Sequence, residues 1–158
     1  MRVVALLSVV LLAGCTYGAP AAGAGSAAPA GGTTNTATTT TVDVSLTAFA
    51  TTTTPYGTAG GFAPVVTTVP LGSMVRFVNV DSFAHTASSL SGTSFPASSP
   101  LGASALNGSG ATLSGGFTSG TLGAGTGSQT LLADKAGTYL YGCFFHYGSP
   151  MRGAIVVR

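Results

Sequence analysis

Near its C-terminus this 158-residue chain carries Cys143, His146 and Met151 within Gly142-Cys-Phe-Phe-His-Tyr-Gly-Ser-Pro-Met151. A thiolate, an imidazole and a thioether thus follow one another from the end of a strand-like run into the loop after it. Soft sulfur donors beside a borderline imidazole suit copper better than the other common metals. The chain has two histidines, so the second imidazole has to come from His85, just beyond the strand-like segment Met74 to Val80. Two imidazoles and a thiolate in a roughly trigonal set, with a weak thioether on the axis, accept both Cu(I) and Cu(II) with little rearrangement. That property suits rapid electron transfer. Each residue alone has a plainer reading: a hydrogen-bonded structural histidine, a gap-filling core methionine, a small buried cysteine. A Cys-x-x-His pair also occurs in zinc sites, although zinc prefers harder or more numerous N and S donors than a thioether. What favours copper is the set taken together, with both histidines and the one cysteine outside the N-terminal segment in a single pattern.

The elements that must hold these donors read as strands. Val42, Val44, Leu46 and Ala48 alternate with Asp43, Ser45 and Thr47, the period-two signature of a strand with one buried face. Further strand candidates are Val65 to Val69, Met74 to Val80, Gln129 to Ala133, Tyr139 to Cys143 and Ala154 to Val157. No segment carries a helical period, and short strands between Gly and Pro turns favour a β-sandwich or barrel. Alternate side chains of a strand share a face, so Tyr139 and Tyr141 should anchor the core while Cys143 reaches inward at the strand's end. Gly148 and Pro150 supply the turn chemistry that brings His146 and Met151 back to Cys143. Residues 87 to 127, rich in Ser and Gly with scattered hydrophobics, are expected to hold one or two weak strands and long surface loops.

In these blocks the chain resembles the cupredoxin family, and within it the plastocyanin and pseudoazurin group. The resemblance rests on Cys143-x-x-His146-x4-Met151 and on Gly72-Ser-Met-Val-Arg-Phe-Val-Asn-Val-Asp-Ser-Phe-Ala-His85, with an aromatic two residues before the histidine. It covers residues 72–86 and 134–157 and leaves the middle of the domain unmatched. It implies an all-β, Greek-key β-sandwich over residues 42–158, one type 1 (blue) copper ion, and His85, Cys143, His146 and Met151 as its ligands. Two departures stand out. Thr86 follows the first histidine where the group often has asparagine, which puts the hydrogen bonding that braces the cysteine loop in question. Phe144 and Phe145 replace the more usual serine or threonine and proline, making the rim of the site more apolar.

The N-terminus points to export. Met1 to Cys15 has one cation, an apolar run of about twelve residues and then small residues, too short to span a bilayer. Leu12-Ala-Gly-Cys15 resembles the bacterial lipobox, which implies a signal peptide over residues 1–14 and a lipid on Cys15 that anchors the mature chain to a membrane, facing the periplasm or cell exterior. Residues 15–41, almost entirely Ala, Gly, Thr, Ser and Pro, read as a flexible linker. About 26 such residues reach on the order of 30 Å r.m.s. and about 90 Å when extended.

Five Lys or Arg residues face three Asp residues, and with Arg2 gone the net charge is four minus three, +1. Such sparse charge argues against nucleic-acid binding and against long-range steering of a partner. The expected function is a monomeric carrier of single electrons between membrane-associated redox partners, such as a cytochrome. The alternative is copper storage, delivery or tolerance, with the metal as cargo. An enzymatic role is not expected, because a second copper centre would need histidines beyond His85 and His146. On its loop His146 is the ligand nearest the surface, where Phe144, Phe145, Tyr147 and Pro150 are expected to form an apolar rim.

Overall fold

The computed structural model describes residues 37–158. The expected signal segment, Cys15 and the linker up to residue 36 lie outside the described residues. Twelve strands run in the order β1 (Thr39–Val44), β2 (Thr52–Thr54), β3 (Gly57–Ala59), β4 (Phe62–Ala63), β5 (Val66–Val69), β6 (Met74–Asn79), β7 (Ser88–Leu90), β8 (Gly108–Ser109), β9 (Thr118–Ser119), β10 (Leu131–Leu132), β11 (Gly137–Gly142) and β12 (Arg152–Val157). One 3-10 turn, Ala103–Leu106, precedes β8. A four-stranded sheet has the order β10-β6-β1-β4 and a six-stranded sheet the order β5-β12-β11-β7-β9-β8, with β2 and β3 as a separate hairpin. The expected all-β sandwich is therefore present.

Alternation explains which faces meet. In β6, Val75, Phe77 and Asn79 are buried while Met74, Arg76 and Val78 are half-buried. Val42, Val44, Phe62, Val75, Phe77 and Leu131 from the first sheet close on Val69, Tyr141, Ile155 and Val157 from the second. At the centre the Tyr141 ring packs edge-on against Phe62 and Phe77, with centroids 4.8 and 4.9 Å away. Such edge-to-face pairs add about 0.5–1.5 kcal/mol beyond the area they bury. Tyr141 faces Gly153 across β11 and β12, and a side chain at Gly153 would overlap the tyrosine ring. Tyr139 packs half-buried against the same core, and its hydroxyl donates to the Lys135 carbonyl at 2.7 Å.

The topology gathers strand ends. β1 runs parallel to β6, so Val44 and Asn79 finish side by side. β11 is antiparallel to β12, pairing Gly142 with Arg152. Chain leaving β1, β6 and β11, and chain entering β12, accordingly carries Ser45, Asp81, His85, Cys143 and Met151.

Two expectations are corrected here. β1 begins at Thr39 instead of Val42, and its alternation stops at Val44 instead of continuing to Ala48. Ser45 turns inward and is fully buried, because its hydroxyl and the following turn are held by Asp81. Residues 87–127 contain three short strands, β7, β8 and β9, and the 3-10 turn. These strands are two or three residues long, too short to show a period. Among the described residues no helix is long and apolar enough to cross a membrane.

Candidate metal centre

Cys143 directly follows β11 and is fully buried. Its Sγ lies 3.9 Å from His85 Nδ1 and 3.7 Å from His146 Nδ1. One donor atom from each of the three residues falls within 4.8 Å of the others, and among the described residues this is the cluster of His, Cys, Asp or Glu able to hold a metal ion. First-row ions bond N and S donors at about 2.0–2.3 Å, so donors this close fit a single ion. The donor chemistry, one soft thiol between two imidazole nitrogens, fits copper.

The loop after Cys143 closes as Gly148 and Pro150 suggest. The amides of Ser149 and Met151 donate to the His146 carbonyl at 3.0 and 3.3 Å, and the Cys143 amide donates to the Met151 carbonyl at 3.0 Å. Met151 is fully buried in the same core cluster as Cys143. Its side chain lies over Gly61, where a Cβ would come 2.5 Å from Met151 Cγ and 3.3 Å from Sδ. Gly61 has φ +72°, so both its backbone and its lack of a side chain suit this approach. Sequence reasoning gave no role to Gly61.

Thr86 settles the first departure from the family pattern. Its amide donates to Cys143 Sγ at 3.4 Å and its hydroxyl accepts from the Phe144 amide at 2.8 Å. Threonine thus ties the loop around the sulfur with one donor and one acceptor.

His85 is fully buried, and its backbone pairs in both directions with Leu122: N–H to O at 3.1 Å, and O from N–H at 2.8 Å. Its Nε2 points away from the sulfur and lies 2.8 Å from Asp81 Oδ2. Buried Asn79 shapes the intervening loop, donating to the carbonyls of Phe83 and Leu122 at 2.7 and 2.9 Å and accepting from the Asp81 amide at 2.9 Å. Burial alone would raise the Asp81 pKa. Hydrogen bonds from Ser45, Thr47, His85 and the Leu46 amide outweigh it and hold the carboxyl well below the usual range. Asp81 has a sequence signal, since it is one of three acidic residues and stands four before His85. Its partners on the β1 loop have none.

His146 is partly exposed. Its burial, and then the neighbouring His85 ring, lower its pKa, with Asp81 opposing, so the imidazole stays neutral and able to donate a lone pair further into acid. Around it the expected rim is only partly formed. Phe145 is 44% exposed, whereas Tyr147 is 2% exposed. Tyr147 turns inward because Gly142 leaves room for its ring: a Cβ there would lie 2.8 Å from Tyr147 Cδ2. Its hydroxyl donates to the Pro96 carbonyl at 2.9 Å, and the Arg152 guanidinium sits 4.1 Å from its ring centroid. Phe144 and Pro150 are half-buried. From the other loop Phe83, 38% exposed, lies beside His146 with its ring centroid 5.6 Å away.

No family model matches the chain, and no curated protein matches it. Among solved structures it is similar to a mutant plastocyanin of fern, with 22% identity and TM-score 0.46 over 75% of this chain and 100% of that one. It is also similar to a purple cupredoxin from Nitrosopumilus maritimus, with 18% identity and TM-score 0.45 over 75% of this chain and 98% of that one. A Cu-containing nitrite reductase from Thermus scotoductus SA-01 is similar over 61% of this chain and 20% of its own length, with 26% identity and TM-score 0.43.

Proposed function

We propose that the chain is a cupredoxin-like type 1 copper protein that carries single electrons between redox partners outside the cytoplasm. The observation that carries this reading is the buried Cys143 sulfur with His85 Nδ1 and His146 Nδ1 at 3.9 and 3.7 Å. Copper, when bound, supplies a one-electron couple. His85, Cys143 and His146 would hold it, with Met151 as a weak fourth donor. Thr86 and the turn from His146 to Met151 hold the donors through hydrogen bonds of the protein itself, and would do so in either oxidation state of a bound metal. His85 and Cys143 are fully buried, while the exposed edge of the site is His146 between Phe83 and Phe145. A partner pressed on that apolar rim would exchange its electron through the His146 ring. Cys15 would anchor the chain in a membrane through a lipid. A Cys15→Ser chain should then remain an unprocessed precursor or be released as a soluble domain, and its continued fractionation as a processed lipoprotein would contradict the anchor.

Carrying electrons is favoured over carrying copper as cargo because the donors come from separate strand ends and His85 is held by backbone and side-chain hydrogen bonds at once. Such a site favours retention over release. The test is to cycle the copper-loaded full chain in detergent between reduced and oxidised forms in the presence of a Cu(I) chelator. Retention of one copper per chain through many cycles is expected. Transfer of copper to the chelator on the first reduction would favour the cargo reading.

A further inference from the structure

The Asp81 carboxylate is more heavily committed than any other polar group near the site. Oδ1 accepts from the hydroxyls of Ser45 and Thr47, both at 2.6 Å. Oδ2 accepts from the Leu46 amide at 2.8 Å and faces His85 Nε2 at 2.8 Å. The Ser45 hydroxyl in turn accepts from the Ala48 amide at 2.9 Å, so the turn after β1 is built around this one side chain. Asp81 is 8% exposed and His85 fully buried, so neither group has free access to water in place of the other.

An ionised carboxylate only accepts hydrogen bonds. The Nε2 facing Asp81 must therefore carry the proton of a neutral His85 ring, which leaves the Nδ1 lone pair toward Cys143. A metal-binding histidine whose far nitrogen donates to a carboxylate is fixed in tautomer and orientation and is made a better donor. Charge adds a second effect. A thiolate and a carboxylate together balance a divalent ion but leave an excess negative charge against a monovalent one, and at this depth that difference is poorly screened.

We propose that Asp81 is a positioning residue of the metal centre, which sets the His85 tautomer and biases the site toward the divalent oxidation state. The inference rests on the copper reading for its electrostatic half, and its tautomer half stands without metal. Nothing in the ligand motif requires a carboxylate at this place, and the hydroxyls of Ser45 and Thr47 both donate to it.

The test has two arms. In the first, copper-loaded wild-type, Asp81→Asn and Asp81→Ala chains are compared for Cu(II) and Cu(I) affinity and for reduction potential. Asp81→Asn keeps shape and a hydrogen-bond acceptor but loses the charge. Loss of such a partner costs about 10–100-fold in metal affinity, and here the loss should fall on Cu(II). A tenfold fall of Cu(II) relative to Cu(I) raises a one-electron potential by about 59 mV. An affinity ratio unchanged within about twofold in both variants would overturn the electrostatic half. In the second arm, nitrogen-15 NMR of metal-free wild-type chain reads the His85 tautomer directly and needs no variant to fold. A ring protonated at Nε2 and bare at Nδ1 is expected, with a mixture in Asp81→Ala. The Nδ1–H tautomer in wild type would overturn the positioning half whatever the copper measurements give. A colourless wild type carrying the Nε2–H tautomer would refute the copper reading and the electrostatic half while upholding the positioning half.

Discussion

His85 and His146 face the same sulfur from contrasting surroundings. His85 is fully buried, held through its backbone by Leu122 and through its ring by a carboxylate that four donors grip. His146 lies on a turn closed by backbone hydrogen bonds, partly exposed, with the Phe83 and Phe145 rings beside it at centroid distances of 5.6 and 6.2 Å. One half of the site is polar, charged and enclosed; the other is apolar and open. On the proposed reading, the difference separates two tasks of a redox centre. The enclosed half would set which metal state is favoured, and the open half would let a partner come within reach.

That division can be sharpened by substitutions on either side. The larger effect should come from Met151, buried between the ligand loop and Gly61. Met151→Leu is expected to keep copper and colour but to raise the reduction potential, because losing a weak axial donor destabilises Cu(II) more than Cu(I). A tenfold change in their relative affinity corresponds to about 59 mV, readable by voltammetry. An unchanged potential, or complete loss of copper, would remove Met151 from the axial role.

A smaller effect is expected at the open half. Phe145→Lys or Phe83→Lys should slow electron exchange with a physiological partner without displacing copper, since both rings are substantially exposed. Wild-type exchange should vary less than about tenfold between low and physiological salt, because the chain has too few charges to steer an encounter. Stopped-flow rates across a salt series check both points. Full speed in the lysine variants, or a steep fall with salt in wild type, would place the electron port elsewhere. Tyr147 is unsuited to this test, because its ring is locked between Gly142, Pro96 and Arg152.

Legibility in the sequence followed the same divide. His85, Cys143, His146 and Met151 could be picked out because rare, chemically distinctive residues lay at a recognisable spacing, and the six-residue strands β1, β6, β11 and β12 were long enough to read as strands, with clean alternation in β6. Asp81 was missed because Ser45, Leu46 and Thr47 sit 34 to 36 residues away, and nothing local marks them as its partners. For the same reason the alternation from Val42 to Ala48 misled: Ser45 fits a strand's outward position, yet a buried carboxylate draws it inward. Tyr147 looked like rim because its neighbours are loop residues, whereas its placement depends on the missing side chain of Gly142 across the turn. Between residues 87 and 127 the strands are set by pairing of β7 with β11, β9 with β7 and β8 with β9, and by cross-loop contacts such as His85 with Leu122, which no local pattern encodes.

The central claim is that Cys143 is the thiolate of a copper site flanked by two imidazoles. Visible and EPR spectra of the copper-loaded full chain in detergent, beside those of Cys143→Ser, test it most directly. Wild type should show an intense thiolate-to-Cu(II) band and a narrow copper hyperfine splitting, and Cys143→Ser should lose the colour while its far-UV circular dichroism still reports a β fold. A colourless wild type with copper bound, or an undiminished band in Cys143→Ser, would contradict the account.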